Sequence, residues 1–303
     1  MRDNQPRPGA IRGIINIKKD INIMKNSEIY NKITQEILKI MESGEIPWKK
    51  NWNGVSSLPR NGVTKKFYSG TNCWLMLLPY ASPDFFTFNQ IQQLNAHIKK
   101  REKGHYVVFW SSFIPKDVEN EDEIKPVLFL KHYVVWNREQ IEGLPEDENM
   151  PQINDPLEEG ERIIAGYKDC PEIYFGGDRA CYQPHSDKIL CPNIDDFDNS
   201  NNFYATLFHE CVHSTGSESR LCRNIKNSFG SSEYSKEELV AELGAAFLCG
   251  IAGISNADTQ QNTAAYIQNW IKVLKNDIKF FFDASRLAGK AVEYITEGKK
   301  AIA

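Results

Sequence analysis

The segment His209-Glu210-Cys211-Val212-His213 constrains this chain more than any other. Two histidines four residues apart lie one above the other on a helix, so both imidazoles reach a single ion only if the segment is helical. The surrounding run 201–214 fits that requirement, with Tyr204, Leu207, Phe208, Cys211 and Val212 as apolar positions and Gly216 as a stop. Glu210, beside the pair, is placed to act as general base toward a water on the ion. Two hydrogen-bonded surface histidines would show the same spacing, but they do not require the apolar helix around it.

A zinc site of this type needs a third protein ligand and keeps a fourth position for water. The run Glu237-Glu238-Leu239-Val240-Ala241-Glu242, about 25 residues downstream, is the obvious source. Glu238 and Glu242 share a helix face, so one can bind the ion while the other orients a ligating histidine. Glu238 is preferred as ligand and Glu242 as its support, with the reverse assignment open and Glu237 pointing elsewhere. Ser235 and Glu238 also fit a capping box, in which Glu238 would bond only backbone. Tyr234, Arg220 and His185 could polarise a scissile carbonyl, but spacing cannot place them. The ligand types point to Zn2+, one per chain, and to metal-assisted hydrolysis, for which peptide bonds are the usual target. A purely structural ion is the alternative.

At 303 residues the chain is long enough for two packed units, and 41% hydrophobic residues supply ordinary cores. No apolar stretch approaches the length of a membrane span, and Asn16, Lys18 and Lys19 interrupt any signal-peptide core. Seven cysteines without paired CxxC spacing fit the reduced thiols of a cytoplasmic protein.

The pattern along the chain is α+β. Residues 1–25 lack a period and read as a tail, and Met24, directly before a helix start, fits an initiator position. A helix follows from Ser27 to Gly44, with Ile29, Ile33, Ile37, Ile40 and Met41 as its apolar stripe. Thr87 and Gln90 fit a capping box for a helix burying Ile91, Leu94 and Ile98, with Lys99, Lys100, Arg101 and Lys103 at its end. The β-rich runs 106–114 and 127–136 read as a hairpin across the acidic connector 119–123. The proline-rich stretch 145–156 marks a boundary, giving domains 26–145 and 146–303. Beyond it come a helix opened by Pro156, short strands at 173–175, 180–183 and 188–191, the motif helix, a helix over 235–250, and one or two more within 264–295.

The net charge of -4 averages two unlike parts. Between residues 26 and 110, eleven basic residues face six acidic ones, and the tail is basic as well. Basic residues there interleave with aromatics: Trp48-Lys49-Lys50-Asn51-Trp52, Arg60, then Lys65-Lys66-Phe67-Tyr68. Such loops can stack unpaired bases on rings while cations track phosphates, which suits single-stranded nucleic acid. Trp74, Trp110 and Trp136 sit in apolar runs and read as core. Trp48 and Trp52, in a polar loop, fit core and stacking roles equally.

Taken in order, these features resemble the ArdC-type antirestriction proteins of mobile genetic elements. The similar words include Ile46-Pro47-Trp48, Phe67-Tyr68-Ser69-Gly70, Val107-Val108-Phe109-Trp110, Gly177-Asp178-Arg179-Ala180, the HExxH run and Glu237-Glu238 through Phe247. The resemblance spans about residues 26–290. It implies an N-terminal domain binding single-stranded DNA and a C-terminal zincin-like, gluzincin-type metallopeptidase domain. It also implies protection of DNA transferred by conjugation from host restriction, with a protein substrate or restriction component as a further partner and no membrane. A zinc protease that DNA binding merely localises is the alternative reading.

Overall fold

A computed structural model of the chain describes residues 26–49, 58–76, 80–113, 127–146, 156–225, 232–256 and 263–297. The tail 1–25, Lys50, Trp52, the acidic connector 119–123 and most of the boundary segment lie outside them.

Helix α1 (Asn26–Glu42) buries Tyr30, Ile33, Ile37, Leu38 and Met41, a stripe at three- and four-residue spacing. Ile40, expected on that stripe, is instead 39% exposed, because the buried face runs through Leu38. Gly44 ends the helix at φ +88°, a conformation that costs glycine no Cβ clash. Strand β1 (Arg60–Asn61), helix α2 (Thr71–Met76), strand β2 (Asp84–Thr87) and helix α3 (Phe88–Gln93) follow. The Thr87 capping box forms as expected, with the Gln90 N–H on the Thr87 hydroxyl and the Gln90 side chain on the Thr87 N–H. The helix is shorter than its pattern suggests. It stops at Gln93, Asn95 takes φ +55°, and Ile98 belongs to strand β3 (His97–Ile98). The basic residues Lys99 to Lys103 therefore lie on a turn, not a helix end.

Strands β4 (His105–Phe113) and β5 (Val127–Asn137) form the expected antiparallel pair, from His105 opposite Val135 to Phe113 opposite Val127. The main sheet has the order β1-β2-β5-β4, with β1 and β2 parallel. Strand β6 (Ile141–Glu142) pairs with β3.

Helix α4 (Pro156–Gly166) opens the second half on its proline, the favoured first helical residue. Strands β7 (Glu172–Phe175), β8 (Cys181–Gln183) and β9 (Lys188–Cys191) make a small mixed sheet in the order β7-β9-β8. Helices α5 (Ser200–Ser214), α6 (Ser232–Ala252), α7 (Thr263–Asn276) and α8 (Phe280–Glu297) complete the half. Ser235 lies inside α6 rather than at its cap, and its hydroxyl accepts from Asn269 on α7. No helix among the described residues is long and apolar enough to cross a membrane.

The two halves share one apolar core. Trp74 packs edge-on against Phe247 of α6 at 4.7 Å, as a core residue should. Trp48 is 0% exposed, 5.5 Å from Trp270 of α7 and 6.1 Å from Phe281 of α8. A ring with no exposed face cannot stack a base, so Trp48 is a structural rather than a nucleic-acid residue. Trp48→Ala should destabilise the chain by about 3–5 kcal/mol, in line with other buried tryptophan truncations. Thermal denaturation checks this. A variant that kept wild-type stability but lost DNA affinity would return Trp48 to the binding surface.

Candidate metal centre and nucleic-acid surface

Helix α5 starts under the Asn199 side chain, which accepts the Asn202 N–H at 3.0 Å. Its motif residues His209 and Glu210 are buried. Helix α6 reaches them because Gly244 faces Val212. A Cβ on Gly244 would lie 2.7 Å from the valine side chain, so only glycine permits this approach.

The approach brings Glu238 onto the histidine pair. His209 Nε2 and His213 Nε2 are 3.0 Å apart, with Glu238 Oε2 3.7 Å from the first and Oε1 3.6 Å from the second. Vertices of a tetrahedron with zinc–nitrogen bond lengths lie about 3.3–3.4 Å apart. The histidine–histidine separation lies just below that value and the two carboxylate separations, made by different oxygens, just above it. One atom from each residue lies within 4.8 Å of the other two, a grouping suited to a divalent ion. Glu242, expected as the support, has Oε1 3.9 Å from His209 Nδ1, a charge contact longer than a hydrogen bond.

Glu237, expected to point elsewhere, is the support of the other histidine. Its Oε1 stands 3.2 Å from His213 Nδ1. A carboxylate only accepts, so Nδ1 carries the proton and the Nε2 lone pair is turned toward His209 and Glu238. Arg223 grips Glu237 through Nη2 at 2.8 Å and Nε at 3.1 Å, and also donates to the Val212 carbonyl and the Thr215 hydroxyl on α5 and its cap. Sequence reading missed this pair because Arg223 comes from the loop between the two helices, where no periodicity marks it.

The electrostatics favour positive charge at the point of convergence. Burial opposes a charged His209, yet the adjacent Glu238 carboxylate and the charges of Glu210 and Glu242 outweigh it and raise its pKa to about 9. Burial would likewise raise Glu238, but the neighbouring His209 and His213 and the Tyr234 hydroxyl hold it down to about 2. Glu237 also lies below the ordinary range, because His213 and Arg223 outweigh its burial.

Glu210 lines a cleft of about 760 Å³ together with Arg179, Tyr182, Tyr234 and the ligand set. Its Oε2 accepts the Tyr182 N–H of β8 at 2.6 Å, which fixes the carboxylate at the cleft wall. Of the three residues weighed for polarising a carbonyl, Tyr234 lines the cleft, whereas Arg220 and His185 do not. Arg220 instead pairs with Asp187 and donates to the Ser214 carbonyl at 2.6 Å, bracing the end of α5.

The candidate nucleic-acid residues within the described part of the chain differ in exposure and in task. Tyr68 is buried beside Phe85, and Lys49 is half-buried. Arg60 and Lys65 clamp the buried carboxylate of Asp84, at 2.5 and 2.7 Å, which gives both a structural task. Lys66, Lys99, Lys100, Arg101 and Lys103 are exposed. Exposed rings occur where sequence reading saw only strand: Tyr106 (40%), Phe109 (45%) and Tyr133 (46%) on the β4–β5 hairpin.

Residues 27–136 match the family described as the N-terminal domain of anti-restriction factor ArdC, and residues 159–287 match the zincin-like metallopeptidase family. A Sinorhizobium fredii protein, designated uncharacterized protein y4eC, is 31% identical over 89% of this chain and 92% of its own length. DNA primase TraC of Escherichia coli is 33% identical over 88% of this chain, which spans only 27% of that primase. Among solved structures, the metal-free antirestriction ArdC protein from the R388 plasmid superposes with a TM-score of 0.74 at 32% identity, covering 90% of this chain and 98% of that one. Its Mn(II)-bound form gives 0.71 at 33% identity, covering 89% and 97%. In its two domain matches, their order and its end-to-end likeness to a solved member, the chain belongs to the ArdC family of antirestriction proteins.

Proposed function

We propose that this antirestriction protein binds single-stranded DNA through residues 26–145 and hydrolyses peptide bonds at a divalent-metal centre within residues 146–303. The convergence of His209, His213 and Glu238 beside a cleft that also holds Glu210 carries the reading. Two imidazoles and a carboxylate suit Zn2+, and a Mn(II)-bound ArdC relative supports a divalent ion. When bound, such an ion acidifies water and polarises a carbonyl. Glu210, held through Oε2 by the Tyr182 N–H, takes the water proton and passes it to the leaving amine. Glu237 and Arg223 keep His213 in the tautomer that presents Nε2. Tyr234, on the cleft wall, hydrogen-bonds Glu238 and helps keep that carboxylate charged.

The DNA part of the reading rests on the ArdC N-terminal domain and the excess of basic over acidic residues in 26–110. Single strands should bind more tightly than duplex of the same length. Affinity should also fall with rising salt, at a log–log slope of about -0.7 per phosphate neutralised. Fluorescence anisotropy across a salt series tests this, and equal affinity for both forms would refute it.

A further inference from the structure

A second cleft, of about 580 Å³, separates the β4–β5 hairpin from the last helix. That volume is in the range of ligand-sized pockets, about 300–1,000 Å³. One wall is Phe109 of β4, whose ring lies 5.6 Å from that of Tyr133 on β5; both rings are nearly half exposed. Their open faces offer base-sized aromatic surfaces to a ligand. The opposite wall is α8, with Arg286 and Lys290, and Lys279 just before its start. Two acids also line the cleft, but Asp283 is engaged by Lys236 at 3.4 Å and by Arg286 at 4.0 Å, leaving only Glu293 to set against Lys279 and Lys290. Lys279 and Lys290 make no ion pair among the described residues. At the hairpin's other exposed ring, Lys32 Nζ lies 4.3 Å from the Tyr106 centroid, adding a cation on the α1 side.

Rings on one wall and cations on the other match a polyanion whose bases are unstacked. Duplex DNA could present base faces to Phe109 and Tyr133 only after paying to unstack them. Resting on the single-strand reading above, we propose that single-stranded DNA is seated in this cleft. Its bases stack on Phe109 and Tyr133, and its phosphates lie along Arg286 and Lys290. The binding site then belongs to both halves of the chain. The buried face of α8, through Phe281, Ala284 and Ala288, is part of the core shared with α6, the helix that carries Glu238. The loops around Trp48 and Arg60, singled out by composition, are not its centre.

The test is anisotropy titration of a labelled oligo-dT of about a dozen nucleotides with the full chain, comparing three double variants. Phe109→Ala/Tyr133→Ala and Arg286→Glu/Lys290→Glu should each weaken binding ten-fold or more, and the charge pair should also flatten the salt slope. Lys99→Glu/Lys100→Glu, on a turn that does not line the cleft, should change affinity less than three-fold. Should a variant fail to fold by circular dichroism, photocrosslinking of iodouracil-substituted DNA to the unmodified chain decides. Adducts on peptides containing Phe109 or Tyr133 support the cleft, and adducts confined to 60–68 or 99–103 overturn it. If the cleft variants bind within two-fold of wild type while the turn variant fails, the location is wrong and the single-strand reading survives. If the unmodified chain binds no single strand, both fall.

Discussion

Replacing Glu210 by glutamine is expected to leave the metal content of the protein unchanged and to lower its hydrolytic rate by about 10²–10⁴-fold, the usual worth of a positioned general base. The carboxylate is not among the three converging ligand atoms, so the ion keeps its ligands. The amide oxygen of glutamine can still accept the Tyr182 N–H, so the tie between α5 and β8 survives. Only the ability to take a proton is lost. Metal analysis beside turnover of an unfolded protein substrate measures both quantities on one sample. Unchanged turnover with metal in place would remove Glu210 from the chemistry. The same variant, carried into a conjugation assay against a restricting host, separates the two activities. Full protection by Glu210→Gln would mean that hydrolysis is dispensable and DNA binding suffices.

Glu238→Ala is expected to abolish retention of one equivalent of metal through gel filtration, because it removes one of three ligands from an already minimal set. Glu237→Ala should weaken metal binding by about 10–100-fold, since it releases His213 from its tautomer and leaves Arg223 without its main partner. Glu242→Ala should do no more than that, given the 3.9 Å separation from His209. Isothermal titration with Zn2+ ranks the three. If Glu242→Ala lost the metal while Glu238→Ala kept it, the ligand assignment would reverse. Chelation should also lower the melting temperature. The carboxylates of Glu210, Glu237, Glu238 and Glu242 gather around the two histidines, and Arg223 pairs with only one of them. A chelated protein that melted lower yet lost no activity would instead mark the ion as structural.

Most of the secondary structure of the second half was legible from the sequence, and for a local reason. The motif helix, the proline-opened α4 and the three short strands are specified by capping, proline position and alternation within a few residues. The shorter α3 escaped because a left-handed residue at Asn95 ends it, and asparagine tolerates that conformation without announcing it. Ile98 keeps helical spacing with Ile91 and Leu94 by coincidence, while its actual partner is Ile141, 43 residues away.

The sequence by itself determined that two imidazoles and a base share one helix, because four residues make about one turn wherever that helix sits. It also determined that a basic front precedes an acidic back, since charge is counted without coordinates. Tertiary structure alone decided which glutamate meets the histidines, because that depends on how closely α6 approaches α5 at Gly244. It alone assigned Glu237 and Arg223 their supporting place. It also buried Trp48, which its neighbours in the chain left open to either role, and exposed Phe109 and Tyr133, whose burial the strand pattern did not decide. Burial is a property of what packs against a residue, and here the packing partners, Trp270 and Phe281, come from more than 200 residues away.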